Sequence, residues 1–122
     1  MEKIDLKWSP LVPLSETFIN VVSASTAGVY RLSARHSDSS IYVFYVGNDT
    51  DIKSTLLKHL NKTDGNQCIA NQITLNTCFF KYATVENSIE RDLAFKQLCK
   101  VYHPMCNNIQ QFVTEDVAII NL

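Results

Sequence analysis

The chain has 122 residues, of which 46% are hydrophobic and 19% charged, a composition that fits one folded domain and gives no sign of disorder. Eleven basic and twelve acidic side chains give a net charge of −1, with arginine only at Arg31, Arg35 and Arg91, so no positive surplus argues for nucleic acid. No apolar run approaches the roughly 20 residues that cross a bilayer, and Met1-Glu2-Lys3-Ile4-Asp5 lacks the basic-then-apolar order of a secretory leader, so the expected setting is cytoplasmic, without a membrane.

Residues 1–14 combine Pro10 and Pro13 with the apolar Trp8, Leu11, Val12 and Leu14, and read as an irregular stretch packed on the domain. Ser15 is placed to cap a short helix that starts at Glu16-Thr17-Phe18-Ile19. Gly28 to Ala34 reads as a strand, and His36-Ser37-Asp38-Ser39-Ser40 is turn chemistry. Ile41-Tyr42-Val43-Phe44-Tyr45-Val46 is the strongest strand, all β-branched or aromatic. Its lack of polar alternation predicts burial on both faces, as in a central strand, with an antiparallel hairpin joining it to 28–34.

Asn48, Asp49, Thr50 and Asp51 offer several helix caps, and Ile52, Leu56, Leu57 and Leu60 follow at helical spacing, which predicts an amphipathic helix over 51–61. Thr63-Asp64-Gly65-Asn66 is a turn that ends it. Gln67 to Asn76 is polar and ambiguous between helix, strand and loop. Thr77 to Thr84 reads as a third strand. Ser88 to Tyr102 reads as a second amphipathic helix through Ile89, Leu93, Leu98, Val101 and Tyr102, with Glu86 and Glu90 near its start and Pro104 past its end. Val117-Ala118-Ile119-Ile120 is apolar enough for a last strand or a docking segment. The order strand, strand, helix, strand, helix predicts an α+β fold, a small, mainly antiparallel sheet flanked by helices. The expected organisation is an N-terminal arm over 1–26, a domain over 27–108, and an extension over 109–122 that belongs to the same domain.

Cys68, Cys78, Cys99 and Cys106 contain no C-x-x-C pair, so neither a redox motif nor a zinc ribbon is indicated. Without a secretory leader the expected state is reduced thiols, buried as small apolar groups. Cys99-x3-His103-x2-Cys106 is the one spacing with metal-ligand character, and it would need a fourth ligand from Cys78 or His59.

Two short motifs carry more weight. Gly28-Val29-Tyr30 and Tyr45-Val46-Gly47 each belong to a predicted strand, and a predicted helix follows the second. Tyr45 through Lys58-His59-Leu60 continues the pattern, and the stretch from Glu90 ends in Pro104-Met105-Cys106-Asn107. In order and spacing, residues 27–108 resemble a GIY-YIG nuclease domain, with Val for Ile in both motifs. The resemblance implies a site in which two motif tyrosines, here Tyr30 and Tyr45, work with a phosphate-binding arginine on the first helix and a metal-binding glutamate on the later one. Counting from Tyr45 puts Thr55 at the arginine position. Counting back from Pro104 puts Phe95 at the glutamate position. Thr55 has no charge to clamp a phosphate, and Phe95 has no oxygen for a hard cation.

The expected reading is therefore a GIY-YIG-like domain without catalytic residues, its vestigial site formed by Tyr30, Tyr45, Thr55 and Phe95, with no cofactor and no metal. It would serve as an interaction module, with a protein partner favoured over nucleic acid. Gly28, Tyr30, Tyr45, Gly47, Lys58 and His59 are the binding candidates, although Gly28 and Gly47 also suit tight backbone geometry and His59 a polar helix end. Lys53, Lys58 and Lys62 fall on one helix as a weak phosphate-facing stripe, or as its solvated face. One alternative is a divergent DNA endonuclease that uses Mg or Mn with relocated residues such as Lys58 and Asp92. Another is a small-ligand site in a cleft around Tyr30, Tyr45 and Phe95.

Overall fold

The computed structural model describes residues 1–108 and 115–122. Two short strands, β1 (Lys3–Ile4) and β2 (Val12–Pro13), lie in the N-terminal arm, and Ser15 caps the single-turn helix α1 (Glu16–Ile19). The hairpin follows as β3 (Gly28–Arg35) and β4 (Ile41–Asp49). Asp51 caps α2 (Ile52–Leu60), and its side chain accepts from the Ser54 amide. Asn66 caps α3 (Gln67–Leu75) in the same manner, through the Ile69 amide. Strand β5 (Cys78–Thr84) and helix α4 (Ser88–Tyr102) come next, and β6 (Ile119–Ile120) lies in the tail. Helix α4 ends where His103 takes a left-handed φ of 43° ahead of Pro104.

The fold is α+β. A four-stranded antiparallel sheet runs in the order β2-β5-β3-β4, and β1 pairs in parallel with β6 as a separate two-stranded ribbon. The arm is thus less irregular than its prolines suggest. Val12 and Pro13 pair with Phe80 and Phe79, and Trp8 bridges to Ala83. In the C-terminal extension, Ala118 is buried and Ile120 packs beside it, while residues 109–114 lie outside the described residues.

Strand alternation sorts the core into two layers. Tyr30, Leu32, Ala34, Phe44 and Phe80 face α1, α2 and α3. Val29, Val46 and Ala83 face α4, the arm and the tail. Helices therefore cover both faces of the sheet, and this explains why Ile41 to Val46 shows so little polar alternation. The expectation that this strand is central needs correction. The interior strands are β5 and β3, and β4 is an edge. The outer edge of β4 is covered by the segment after α4. The Cys106 amide donates to the Phe44 carbonyl at 2.9 Å, while the Asn107 side chain accepts from the Val46 amide at 2.9 Å and donates to its carbonyl at 2.8 Å.

Two further expectations change. The stretch from Gln67, ambiguous in sequence, is helical over Gln67–Leu75, anchored by buried Ile69 and by Ile73 one turn later. The cysteines are not all reduced: Cys68 and Cys106 form a disulfide with their Cα atoms 5.3 Å apart, and only Cys78 and Cys99 are free thiols. Burial raises these two thiols to about 11 and about 12, well away from reactivity at neutral pH. The bond to Cys68 takes Cys106 out of the Cys99-His103-Cys106 spacing, and no group of three or more metal-ligating side chains assembles among the described residues.

Candidate functional site

Tyr30 lies directly opposite Gly47 across the β3–β4 ladder. A Cβ on Gly47 would overlap the Tyr30 ring, so the absence of a side chain here is what lets the ring lie flat across β4. Gly28 is constrained in a similar way, since its Cβ would run into the Ala83 carbonyl of β5. Both motif glycines thus answer to close approach.

Tyr45 pairs with Leu32 and so shares the Tyr30 face, and a β-bulge lies beside it. The register passes from Leu32 opposite Tyr45 to Ser33 opposite Val43, which leaves Phe44 as the extra residue. Phe44 and Tyr45 consequently both pack with the first layer, instead of alternating. The Tyr30 and Tyr45 rings sit 6.1 Å apart. The His59 ring from α2 joins them at 5.7 Å from Tyr30 and 5.3 Å from Tyr45.

His59 is not the polar helix end that its position suggested. It follows Ile52 and Leu56 on the inward face of α2 and is only 3% exposed. Its Nε2 lies 2.7 Å from the Tyr30 hydroxyl, and its Nδ1 contacts Asp64 in the turn after α2. A carboxylate only accepts, so Nδ1 carries the hydrogen and Nε2 accepts from the Tyr30 O–H. This neutral tautomer satisfies both ring nitrogens. Burial holds the His59 pKa below its ordinary value, and Asp64 offsets that only in part.

The same burial raises both tyrosines, Tyr30 strongly, and the carboxylates of Asp49 and Asp64 raise them further. Neither phenol is poised to lose its proton near neutral pH, which an activated nucleophile or base requires. Tyr30 is 1% exposed, with its hydroxyl engaged by His59, whereas Tyr45 is half-buried.

Thr55 faces this cluster and donates to Asp49 Oδ2 at 2.6 Å, while Asp49 Oδ1 accepts from the Asp51 amide at 2.9 Å. Phe95 does not join it. On α4, it packs with the second layer, so Tyr30, Tyr45 and Phe95 do not pack in one layer as the expected cleft would have them. Asp92 pairs with Lys96 at 2.9 Å on the surface of α4. Lys58 is exposed and, together with Lys53, Ser54 and Thr63, lines an open depression of about 360 Å³ on α2. Lys62 lies just past the helix. Sequence reasoning missed Asp49 and Asp64, the two carboxylates that set the electrostatics of the cluster. The signal for Asp64 was its place in the turn five residues after His59.

Comparison with known proteins adds no relative: no family model, no curated protein and no solved structure matches the chain.

Proposed function

We propose that this chain is a GIY-YIG-like domain without nuclease chemistry that acts as an interaction module, with a protein as its partner. One observation carries the reading. The polar groups at the family's site positions are bonded to one another, Tyr30 through His59 to Asp64 and Thr55 to Asp49, with no arginine in the cluster. Phosphoryl transfer requires cationic or metal stabilisation of the developing charge. Here the charged groups around the tyrosines are carboxylates, which would repel a phosphodiester.

A protein partner is favoured by apolar surface near α1. Phe18 is 40% and Val21 79% exposed, beside a hollow of about 120 Å³ that Val12, Val22, Phe80 and Tyr82 also line. The depression bearing Lys53 and Lys58 leaves nucleic acid as a weaker candidate, because Asp51 lines it too.

Incubation with plasmid and single-stranded DNA, with Mg²⁺ or Mn²⁺ against a chelated control, tests the loss of chemistry. No nicking is expected. Reproducible metal-dependent nicking that disappears in Tyr45→Phe would overturn the reading. For the module, a protein retained by the wild type should be lost by Val21→Asp. Equal retention by both would remove the α1 surface from the proposal.

A further inference from the structure

We infer that the Cys68–Cys106 disulfide is a reversible redox clasp that holds the 104–107 strap on the outer edge of β4. The inference stands on the strap's geometry and does not rest on the function proposed above.

The bond joins two segments 38 residues apart in sequence, the start of α3 and the strap. Around it the strap makes a small set of contacts. Its Cys106 amide and Asn107 side chain bind Phe44 and Val46 on β4. The Cys106 carbonyl accepts from the Asn66 side chain at 3.2 Å. Asn66 also caps α3, and its own amide donates to Asp64 Oδ1 at 3.1 Å. The disulfide thus sits where the edge of the sheet, the cap of α3 and the turn carrying Asp64 meet. A nine-residue helix with one fully buried side chain has little stability of its own, so its attachment depends on such ties. Opening the bond would leave the strap held by buried Pro104, by the Gln72 contact to Met105 Sδ at 3.2 Å and by its hydrogen bonds to β4 and Asn66. An edge strand relieved of its cover presents unpaired N–H and C=O groups.

The chemistry is two-electron thiol–disulfide exchange with a dithiol as reductant. A thiolate of the dithiol attacks Sγ of half-buried Cys68 and forms a mixed disulfide. The Cys68–Cys106 bond breaks, and Cys106 leaves as a thiolate that takes a proton. The second thiol of the reductant then releases Cys68 as a thiol and closes its own disulfide. Cys78 and Cys99 are buried away from this exchange, so the oxidised pair reforms without competing partners.

Amide hydrogen exchange on the full chain tests the clasp, comparing oxidised protein with protein treated with a dithiol under native conditions. Alkylation and mass spectrometry would count the exposed thiols. Two alkylated sites are expected, Cys68 and Cys106. Exchange at the Val46 and Cys106 amides should rise at least about tenfold more than exchange in β3 and β5, and reoxidation restores the slow rates. A bond that resists the dithiol until denaturant is added would overturn the inference. So would unchanged exchange at Val46 and Cys106 with both thiols open, or an equal rise across the whole sheet, which would make the disulfide a global staple. A Cys68→Ser, Cys106→Ser chain should reproduce the reduced pattern under oxidising conditions; protection there equal to that of the oxidised wild type would count against the clasp.

Discussion

At Gly47 the volume a Cβ would need is filled by the Tyr30 ring, and Tyr30 cannot retreat because its hydroxyl is tied to His59. Gly47→Ala is therefore expected to destabilise the fold by about 1–3 kcal/mol, the range for overpacking a tight site. Urea denaturation would show a lower midpoint, and an unchanged midpoint would mean that the ring moves at no cost. His59 supplies a pH dependence of definite sign. Its folded pKa is depressed below the 6.5 of the unfolded chain, because burial penalises the imidazolium. Between those two values the unfolded state binds more protons than the folded one. The neutral ring's contribution is fully present above pH 6.5 and is lost as pH falls from there through the folded pKa. The urea midpoint should thus be lower at about pH 5.5 than at about pH 7.5, and the difference should shrink in His59→Gln. An NMR titration that put the His59 midpoint above 6.5 would reverse the sign and refute this account.

At the level of elements, β3, β4, β5 and the helices α2 and α4 were legible because their signals are local. Apolar periodicity, with Asp51 among the cap candidates of α2 and Pro104 past the end of α4, places both helices within a residue of the expected limits. Helix α3 was not legible as such. Its polar face outweighs Ile69 and Ile73, and its docking depends on partners far along the chain, such as Tyr42, whose hydroxyl donates to Gln72 at 2.7 Å. The edge position of β4 was hidden for a similar reason. A strand covered on both faces reads as central whether or not its outer edge is paired, and the cover at that edge comes from residues 104–107. In the candidate site the two tyrosines could be paired from the hairpin alone. Burial of His59 was readable from its spacing after Ile52 and Leu56, whereas the contribution of Asp64 depends on how the turn folds back. The Asn107 that ends the Pro-x-x-Asn stretch also acts at this scale. Its amide completes the Val46 pairing, so Asn107→Ala leaves one N–H and one C=O of β4 without that partner. A loss of about 1–3 kcal/mol is expected. A loss well below that range in thermal or urea unfolding would mean that water replaces the amide without penalty.

Over the whole molecule, the disulfide and the division of the core between two faces govern what can be changed. Closing a 38-residue separation restricts the unfolded chain, so Cys68→Ala with Cys106→Ala should lower stability by about 2–4 kcal/mol. No loss in urea unfolding under oxidising conditions would show that the bond adds nothing to the fold. The two-faced core makes the sharper prediction. Installing the residues that the proposed GIY-YIG likeness would require, as Thr55→Arg and Phe95→Glu, should not create a nuclease. Position 55 faces the Tyr30–His59 layer, where the new guanidinium would meet Asp49 and pair with it in place of a phosphate. Position 95 packs with the other layer, so the new carboxylate would sit among groups that include neither tyrosine. A metal held by that carboxylate could not reach a phosphate bound near Tyr45, and catalytic groups misplaced by even about 1 Å lose most of their effect. Phe95→Glu also places a charge against an apolar layer, and a cost of about 1–3 kcal/mol in stability should accompany it. The double variant is expected to fold less stably and to leave plasmid intact in Mg²⁺ or Mn²⁺ at micromolar protein. Metal-dependent nicking by that variant, absent from the wild type, would mean that residues 55 and 95 share one site, and both the assignment of Phe95 to the far layer and the closed-site account would fall.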